Sequence, residues 1–328
     1  MDIKVCYTSD DNYARHMAVS MASILKNASE EDKLFFYILD GGIADEKKDK
    51  IAKLKRIKEF DIRYVKIDTS VFKKFQLVQN YFSPAVYYRL MMADLLPDID
   101  KVIYLDCDII VCSSLKELFL QEISDYYVAG VEDIGYYWAH RFLNREFENL
   151  YINSGVMAIN LKLWRNDGIG NKLIAFARET KEELTFGDQD VINKVLKGKI
   201  KLISLDWNVQ SSYFEFNNIT YHPLCKEIKK AKKNIKIIHY ITAKKPWNSY
   251  TPLRDLYFYY LQFTSFEIKL TLKDKLNIIK EQFIYNVKNC IYITRYIISP
   301  LIRGYRKDNR IMIKIFNLIE FKIFRFKR

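Results

Sequence analysis

Short apolar runs alternate with amphipathic segments from the start of the chain. Ile3–Thr8, Leu34–Leu39 and Ile62–Ile67 are rich in β-branched and aromatic residues and predict buried strands. Between them, His16–Leu25 spaces its apolar residues like one face of a helix, and Ala44–Lys58 is predicted to be a charged helix. Strands and helices in this order predict an α/β fold with a mostly parallel central sheet covered by helices.

The most informative segment is Lys101–Val111, with the sequence KVIYLDCDIIV. It begins as a buried strand and then places Asp106 and Asp108 two residues apart, so an extended chain turns both carboxylates to one face. Two adjacent anions favour a hard divalent cation between them, either Mn²⁺ or Mg²⁺. The alternative is an Asx turn that only ends the strand. Ligands of parallel sheets bind at the carboxyl ends of strands, where Thr8–Asn12 also lies.

Two further candidates come from the middle of the chain. Arg89 is the lone cation of a predicted helix opened by Ser83-Pro84, and a buried Arg requires a carboxylate or phosphate partner. The alternative is a surface Arg whose stem lies along apolar neighbours. Asn153-Ser154-Gly155 interrupts a later apolar run, and its glycine permits another group to approach the backbone closely.

The last candidates are a pair of carboxylates and a histidine with a lysine. Asp188 and Asp190 open a predicted helix, where carboxylates are commonly caps, an alternative that is stronger for Asp190. His239 ends the last predicted strand and Lys245 lies in the turn that follows, an arrangement that suits an anionic ligand. A buried structural histidine is the alternative. Trp207–Asn218 is predicted to be an aromatic, polar loop.

The composition is that of a globular protein, and most of its net positive charge lies in the tail. The net charge is +13, and residues 265–328 hold 15 Lys+Arg against 5 Asp+Glu, so the tail accounts for +10 of it. The five cysteines form no CxxC pair, which favours reduced thiols in the cytosol. We expect no signal peptide and no membrane span, because no apolar run is long enough.

The basic tail also has apolar residues at helical spacing. One predicted face holds Leu276, Ile279, Phe283, Val287 and Cys290, and a second begins with Ile311, Ile315 and Leu318. Basic amphipathic helices with aromatic residues bind anionic membrane surfaces, and each Lys or Arg contributes about 1 kcal/mol there. The alternative is a helical appendage packed on the main domain.

Seven motifs stand in order along the chain, namely TSDDNY, FYILDGGI, YYRL, VIYLDCDIIV, INSGVMAINLKLW, GDQDVIN and IHYITAKKPW. In these motifs the chain resembles glycosyltransferase family 8, the retaining nucleotide-sugar transferases that include glycogenin and bacterial lipopolysaccharide galactosyl- and glucosyltransferases. The resemblance runs from Ile3 to about Leu261. It implies an α/β fold of the GT-A nucleotide-sugar-binding type over residues 1–264. Residues 265–328 would form a basic, helical appendage that associates with the membrane.

The resemblance also implies a role for each matching residue. The metal ligands, around Mn²⁺ or possibly Mg²⁺ in its place, would be Asp106, Asp108 and His239. The residues that bind the nucleotide-sugar would be Thr8, Asp10 and Asn12 at the uridine, Lys245 at the diphosphate, and Arg89 and Asn153 at the sugar. The catalytic residues around the transferred sugar would be Asp133, Asp188 and Gln189. Thr242 stands where the family commonly has glycine.

Together these roles imply a retaining, Mn²⁺-dependent hexosyltransferase. It would move galactose or glucose from UDP-galactose or UDP-glucose to a lipid-linked glycan, at the inner face of the cell membrane. Because the position for a carboxylate nucleophile holds the amide of Gln189, we expect same-face attack by the acceptor hydroxyl rather than a covalent intermediate.

Two alternatives belong to other functional classes. A metal-dependent phosphotransferase of the haloacid dehalogenase type also places DxD at a strand end, but on its first strand, whereas Asp106 lies far into this chain. A non-catalytic protein could bind nucleic acid through the basic tail. The tail's Ile and Leu residues at helical spacing favour lipid instead, so no nucleic-acid partner is expected.

Overall fold

A computed structural model describes residues 1–67, 84–135, 151–180, 184–214 and 222–292, together with three strands between residues 302 and 325. The strands of the main domain are β1 (Asp2–Ser9), β2 (Lys33–Asp40), β3 (Phe60–Lys66), β4 (Lys101–Leu105), β5 (Ile109–Val111), β6 (Val128–Glu132), β7 (Ile152–Asn160), β8 (Ile200–Leu202), β9 (Val209–Gln210) and β10 (Ile237–His239).

The helices of the described residues are numbered in chain order. They are α1 (Ala14–Asn27), α2 (Asp45–Ala52), α3 (Met92–Leu95), α4 (Lys116–Phe119), α5 (Leu161–Asn166), α6 (Ile169–Glu179), α7 (Asp188–Val195), α8 (Cys225–Ala231), α9 (Arg254–Leu261) and α10 (Leu272–Tyr292). Short 3-10 helices cover Lys53–Arg56, Pro84–Met91, Leu205–Asn208 and Ser211–Phe214. The predicted loop from Trp207 is therefore wrong in its first part, which is a 3-10 turn, a short strand and a second 3-10 turn.

Seven strands form the central sheet in the order β3-β2-β1-β4-β7-β6-β8. All the pairings are parallel except those of β7, which is antiparallel to both β4 and β6. The prediction of a mostly parallel sheet is confirmed. Because β7 runs in the opposite direction, its first residues lie beside the carboxyl end of β4, where Leu105 pairs with Val156.

Both faces of this sheet are buried, and the alternation of side chains along each strand decides which layer they join. On β1, Val5 and Tyr7 enter one apolar cluster with Met17 of α1, whereas Cys6 enters a second cluster on the opposite face. Tyr104 of β4 belongs to that second cluster. Continuous apolar runs are what a sheet covered on both faces requires, and the sequence has them.

A second, three-stranded sheet has the order β5-β10-β9. Strand β10 is antiparallel to β5, with His239 opposite Ile109, and parallel to β9. The backbone N–H of Tyr240 also donates to the carbonyl of Asp108, at 3.0 Å. This pairing places His239, from the last strand of the main domain, close to Asp108 at the carboxyl end of β4.

The tail is helical only in its first part. In α10, Glu281 accepts a bond from the Tyr250 N–H and the Tyr285 hydroxyl donates to the carbonyl of Phe214, so one face packs on the main domain. Three antiparallel strands follow, which we name β11 (Ile302–Lys307), β12 (Arg310–Ile315) and β13 (Ile319–Arg325).

The second predicted helical face is therefore wrong, because Ile311 and Ile315 lie on a strand. Leu318 lies outside the described residues. Alternating Arg, Ile, Met, Ile, Lys and Ile in this segment has the two-residue period of a strand, which the spacing of its apolar residues by four concealed. Among the helices of the described residues, none combines the length and the apolar character needed to cross a membrane.

Candidate active site and metal centre

The three predicted metal ligands converge at the carboxyl end of β4. The Nε2 atom of His239 lies 3.2 Å from Asp108 Oδ1 and 3.7 Å from Asp106 Oδ2. One potential ligand atom from each of the three residues lies within 4.8 Å of the others. Asp106 is held by a bond from the Tyr104 hydroxyl, at 2.9 Å, and its backbone N–H donates to the carbonyl of Gly155.

The residues present fit a divalent cation. Two carboxylates and an imidazole are a donor set that Mn²⁺ accepts, and Mg²⁺ prefers the carboxylate oxygens. Gly155 provides the space, because a Cβ at this position would lie 2.2 Å from His239 Cε1 and 2.7 Å from Asp106 Oδ2. The cluster can form only beside a residue without a side chain.

Lys245 also reaches this centre. Its ammonium lies 2.5 Å from Asp108 Oδ2 and 2.6 Å from the carbonyl oxygen of Tyr240. Burial alone would raise the pKa of Asp108, but the Lys245 ammonium and the His239 imidazole outweigh it and lower that pKa well below its usual range. Asp108 is therefore an anion that already has the Lys245 ammonium as a cationic partner.

The turn between His239 and Lys245 adopts the conformation usual for glycine, although it contains no glycine. Thr242 has φ +77°, in the left-handed region that β-branched residues rarely adopt. Thr242 is the residue that stands where the resemblance implies glycine. The threonine retains the positive φ instead of forcing a different turn.

Arg89 connects the metal cluster to the next group of polar residues. Its guanidinium lies 2.9 Å from Asp106 and 3.1 Å from Asp188, and it donates to the carbonyl of Ser154 at 3.0 Å. Only 5% of Arg89 is exposed, and it stacks over the ring of Tyr104. The alternative of a surface Arg is therefore wrong, and the prediction of an inward-facing Arg with carboxylate partners is confirmed.

Asp188 lies in an environment that disfavours its charge. Burial raises its pKa to about 6, although the Arg89 guanidinium acts in the opposite direction and the Asp106 carboxylate adds to the rise. A carboxyl group with such a pKa changes charge close to neutral pH. Perturbed groups of this kind in a cleft are typical of functional sites.

Asp133, Asn153 and Gln189 form one hydrogen-bonded group beside Asp188. The Asn153 amide donates to Asp133 at 3.0 Å and to Gln189 Oε1 at 3.1 Å. Gln189 Nε2 donates to Asp133 at 3.0 Å, and the Ser154 N–H donates to Gln189 Oε1 at 3.1 Å. The sequence-predicted sugar residues, which come from three separate elements, therefore meet in one place.

Thr8 lies near the end of β1, and Asp10 and Asn12 follow this strand, whose neighbours in the sheet include β4. The Cys107 thiol, between the two metal-cluster carboxylates, donates to the carbonyl of Thr8 at 3.2 Å. Asp10 accepts a bond from the Tyr13 N–H at the start of α1, and Asn12 is exposed. These residues lie at the same end of the sheet as the metal cluster, where the parallel strands end.

The amino-acid sequence matches the family model described as Glycosyl transferase family 8 over residues 4–251. The chain belongs to glycosyl transferase family 8. General stress protein A of Bacillus subtilis (strain 168) is 33% identical to it over 264 residues, which are 78% of this chain and 92% of that protein. A lipopolysaccharide 1,2-glucosyltransferase of Escherichia coli is 29% identical over 256 residues, 75% of this chain and 73% of that protein.

The fold of this family 8 glycosyltransferase is also found among solved structures. The galactosyltransferase LgtC in complex with donor and acceptor sugar analogs superposes with a TM-score of 0.69, at 24% sequence identity, over 84% of this chain and 100% of that chain. The GT-A-type α/β fold expected from the sequence is confirmed. Family membership also shows that the haloacid dehalogenase alternative is wrong.

Asp190 has a structural role in the family 8 site. It accepts bonds from the Tyr151 hydroxyl and from the Phe186 N–H just before α7, in agreement with the structural alternative that was stronger for this residue. Asn208 was missed. It is fully buried and bonds to both His239 and Asn153, and the only signal in the sequence is an amide residue between Trp207 and Val209.

Proposed function

We propose that this family 8 glycosyltransferase is a retaining, Mn²⁺-dependent hexosyltransferase. Its donor would be UDP-galactose or UDP-glucose and its acceptor a hydroxyl of a lipid-linked glycan. The observation that carries the proposal is the contact of Arg89 with both Asp106 and Asp188, which joins a cation site to a polar group fit to hold a sugar. The similarity to a lipopolysaccharide 1,2-glucosyltransferase of Escherichia coli supports a hexose as the transferred sugar and a glycan as the acceptor.

Each group of residues at the carboxyl ends of the strands would have a role in this reaction. Asp106, Asp108 and His239 would hold the divalent ion, which supplies Lewis-acid stabilisation of the departing diphosphate. Lys245 would add a fixed positive charge on the same side, because its ammonium already lies beside Asp108. Thr8, Asp10 and Asn12 would bind the uridine end.

The hydrogen bonds of Gln189 favour retention without a covalent sugar adduct. Its Oε1 accepts from both Asn153 and Ser154, so the lone pairs of an already poor nucleophile are engaged. The acceptor hydroxyl would attack from the face that the phosphate leaves. The new bond joins the acceptor oxygen to the anomeric carbon, the bond from that carbon to phosphate breaks, and the hydroxyl proton passes to the departing phosphate oxygen.

The stabilisation of positive charge on the sugar would come from the polar group beside Arg89. Asp188 and Asp133 provide carboxylates there, and Asn153 and Gln189 fix the position of Asp133. Detection of a sugar covalently attached to Gln189 or Asp188, by mass spectrometry of the protein incubated with donor alone, would contradict same-face attack.

A donor panel tests the proposal. The protein is incubated with Mn²⁺ and single UDP-sugars, and UDP release is measured with and without EDTA. We expect release from UDP-galactose or UDP-glucose that EDTA abolishes and that Asp108→Asn reduces by several orders of magnitude. Asp98→Asn is the matched control, because Asp98 pairs with Arg63 on the surface. UDP release that persists in EDTA, or equal release by the two variants, would refute the metal centre.

We further propose that α10 binds the anionic inner face of the cell membrane. Its apolar residues are exposed on the side turned away from the main domain, including Leu276 (57%), Ile279 (61%) and Phe283 (68%). Lys280 and Lys288 are exposed on the same helix, and the tail carries a net charge of +10. An apolar face flanked by lysines complements a lipid surface of negative charge.

Flotation with vesicles separates this proposal from its alternatives. We expect binding to vesicles that contain phosphatidylglycerol and loss of binding in the double variant Ile279→Glu, Phe283→Glu. Gln282→Glu with Asn286→Glu adds the same charge at exposed polar positions of the helix and is the control. Equal loss in both double variants would show that charge alone acts, and binding to RNA but not to vesicles would favour a nucleic-acid partner.

A further inference from the structure

Asn208 lies between the metal cluster and the predicted sugar residues. It ends the 3-10 turn before β9 and is 0% exposed. Its Oδ1 lies 3.2 Å from His239 Nδ1, and its Nδ2 lies 2.9 Å from Asn153 Oδ1. It is thus the residue through which the imidazole and the amide group of Asn153 are joined.

The direction of these bonds follows from one backbone group. The Gly155 N–H lies 3.1 Å from the Asn153 side chain, and a backbone N–H only donates, so the atom of Asn153 facing it is the oxygen. Asn208 must then turn its NH₂ group toward the same oxygen. The reverse orientation would place two buried amide oxygens against each other and leave the oxygen of Asn208 without a donor.

The same orientation decides the tautomer of His239. With its NH₂ group on Asn153, Asn208 presents its oxygen to Nδ1 of the imidazole, and an oxygen acceptor requires a proton on that nitrogen. In the neutral imidazole the other nitrogen, Nε2, then carries the lone pair. Nε2 is the atom that faces Asp106 and Asp108.

We propose that Asn208 is a positioning residue that keeps the proton of His239 on Nδ1, so that Nε2 is available as a metal ligand, while its NH₂ group orients Asn153 beside Gln189. This inference rests on the proposed function, since it assumes that a divalent cation binds at Asp106, Asp108 and His239. Partners of this kind orient ligating histidines and change metal affinity by about 10- to 100-fold.

Two substitutions at Asn208 separate its two bonds. Asn208→Asp keeps an oxygen for His239 but cannot donate to Asn153, and Asn208→Leu removes both bonds at similar volume. Titration of the protein with Mn²⁺ alone, followed by calorimetry, should show affinity within about threefold of wild type for Asn208→Asp and about 10- to 100-fold weaker for Asn208→Leu. In steady-state assays Asn208→Asp should lower kcat with little change in the Mn²⁺ requirement, because only the Asn153 bond is lost.

The matched control is Asn160→Leu. Asn160 pairs with Lys101 at the opposite end of β4 from Asp106, donates to the carbonyl of Ile123 and accepts from the Leu163 N–H, so its loss should lower thermal stability without changing Mn²⁺ affinity. Equal Mn²⁺ affinity in wild type and Asn208→Leu would overturn the inference. Equal losses in Asn208→Leu and Asn208→Asp would overturn the assignment of the tautomer.

Nuclear magnetic resonance observes the tautomer of His239 in the wild-type protein. The chain has four histidines, so long-range ¹H–¹⁵N spectra of protein labelled at histidine can be assigned with His239→Gln. We expect His239 to carry its proton on Nδ1, and a proton on Nε2 alone would overturn the inference. Wild-type protein that binds no Mn²⁺ would refute the proposed function itself, whereas Mn²⁺ binding combined with an Nε2 proton refutes only the role of Asn208.

Discussion

Gly155 offers the sharpest single test of the metal centre, because one added carbon reaches two of the three ligands. In Gly155→Ala the new Cβ would lie 2.2 Å from His239 Cε1 and 2.7 Å from Asp106 Oδ2. The backbone N–H that bonds to Asn153 is retained in this variant. The perturbation therefore acts on the ligands and leaves the orientation of Asn153 unchanged.

The size of the effect follows from these distances. Ordinary van der Waals contact with a Cβ begins at 3.4 Å, so the imidazole of His239 must retreat by about 1.2 Å. Metal sites tolerate deviations of about 0.2 Å in their bond lengths. We expect Mn²⁺ affinity to fall by about 100-fold or more, which is about 2.7 kcal/mol. Overpacking at this buried position should also cost about 1–3 kcal/mol of folding stability.

Calorimetric titration with Mn²⁺ and urea denaturation without metal measure the two effects separately. Gly198→Ala is the control, because Gly198 has φ +81° but open space around it. That variant should lose about 1 kcal/mol of stability from backbone strain and keep wild-type Mn²⁺ affinity. If Gly155→Ala bound Mn²⁺ as tightly as wild type, His239 and Asp106 could not both be metal ligands.

Three further outcomes follow from the same contacts. Arg89→Met leaves the carboxylates of Asp106 and Asp188 without their buried cation. The free energy of unfolding, measured by urea denaturation, should fall by about 3–5 kcal/mol in this variant and by less in Arg89→Lys. The pKa of Asp188, raised to about 6, lies above its unfolded value near 3.8, so its contribution to stability is complete below about pH 4 and is lost as the pH rises toward 6. In metal-free protein the free energy of unfolding should therefore fall across this range relative to Asp188→Asn, by roughly 3 kcal/mol, and parallel pH profiles would contradict the raised pKa. Thr242→Gly should relieve about 1–2 kcal/mol of strain at φ +77° and lose about 0.5–1 kcal/mol to chain entropy, so a melting temperature below that of wild type would contradict the strain.

The central fold could be predicted because its signals are local. The runs that became β1, β2 and β4 are apolar on both faces, and sheets covered on both sides require such runs. The antiparallel direction of β7 was not predictable in this way, since a buried strand has the same composition in either direction. This direction matters for the site, because it places Asn153 and Gly155 at the edge where the parallel strands end.

The tail shows where periodicity misleads. Ile311 and Ile315 are four residues apart, a spacing that fits a helix, but Ile313 between them fits only the alternation of a strand, which the structure has. In α10 the helical spacing was correct, although Tyr285 likewise lies between Phe283 and Val287. The pattern of apolar residues alone therefore does not distinguish the two segments, and the pairing of β12 with β11 and β13 decides the structure of the second.

Pairing between distant strands explains why the metal ligands could be assigned only partly from local chemistry. The spacing of Asp106 and Asp108 indicates a metal site within one strand end. His239 alone is equally typical of a buried structural residue, and only the family motifs indicate that it is a ligand. The fold resolves this through β5 and β10, which place His239 opposite Ile109, the residue that follows Asp108. Asn208 is carried to the same point by the next pairing, between β9 and β10. A histidine and an asparagine in separate segments acquire a joint function only once those two pairings form, and composition or spacing within either segment contains no trace of it.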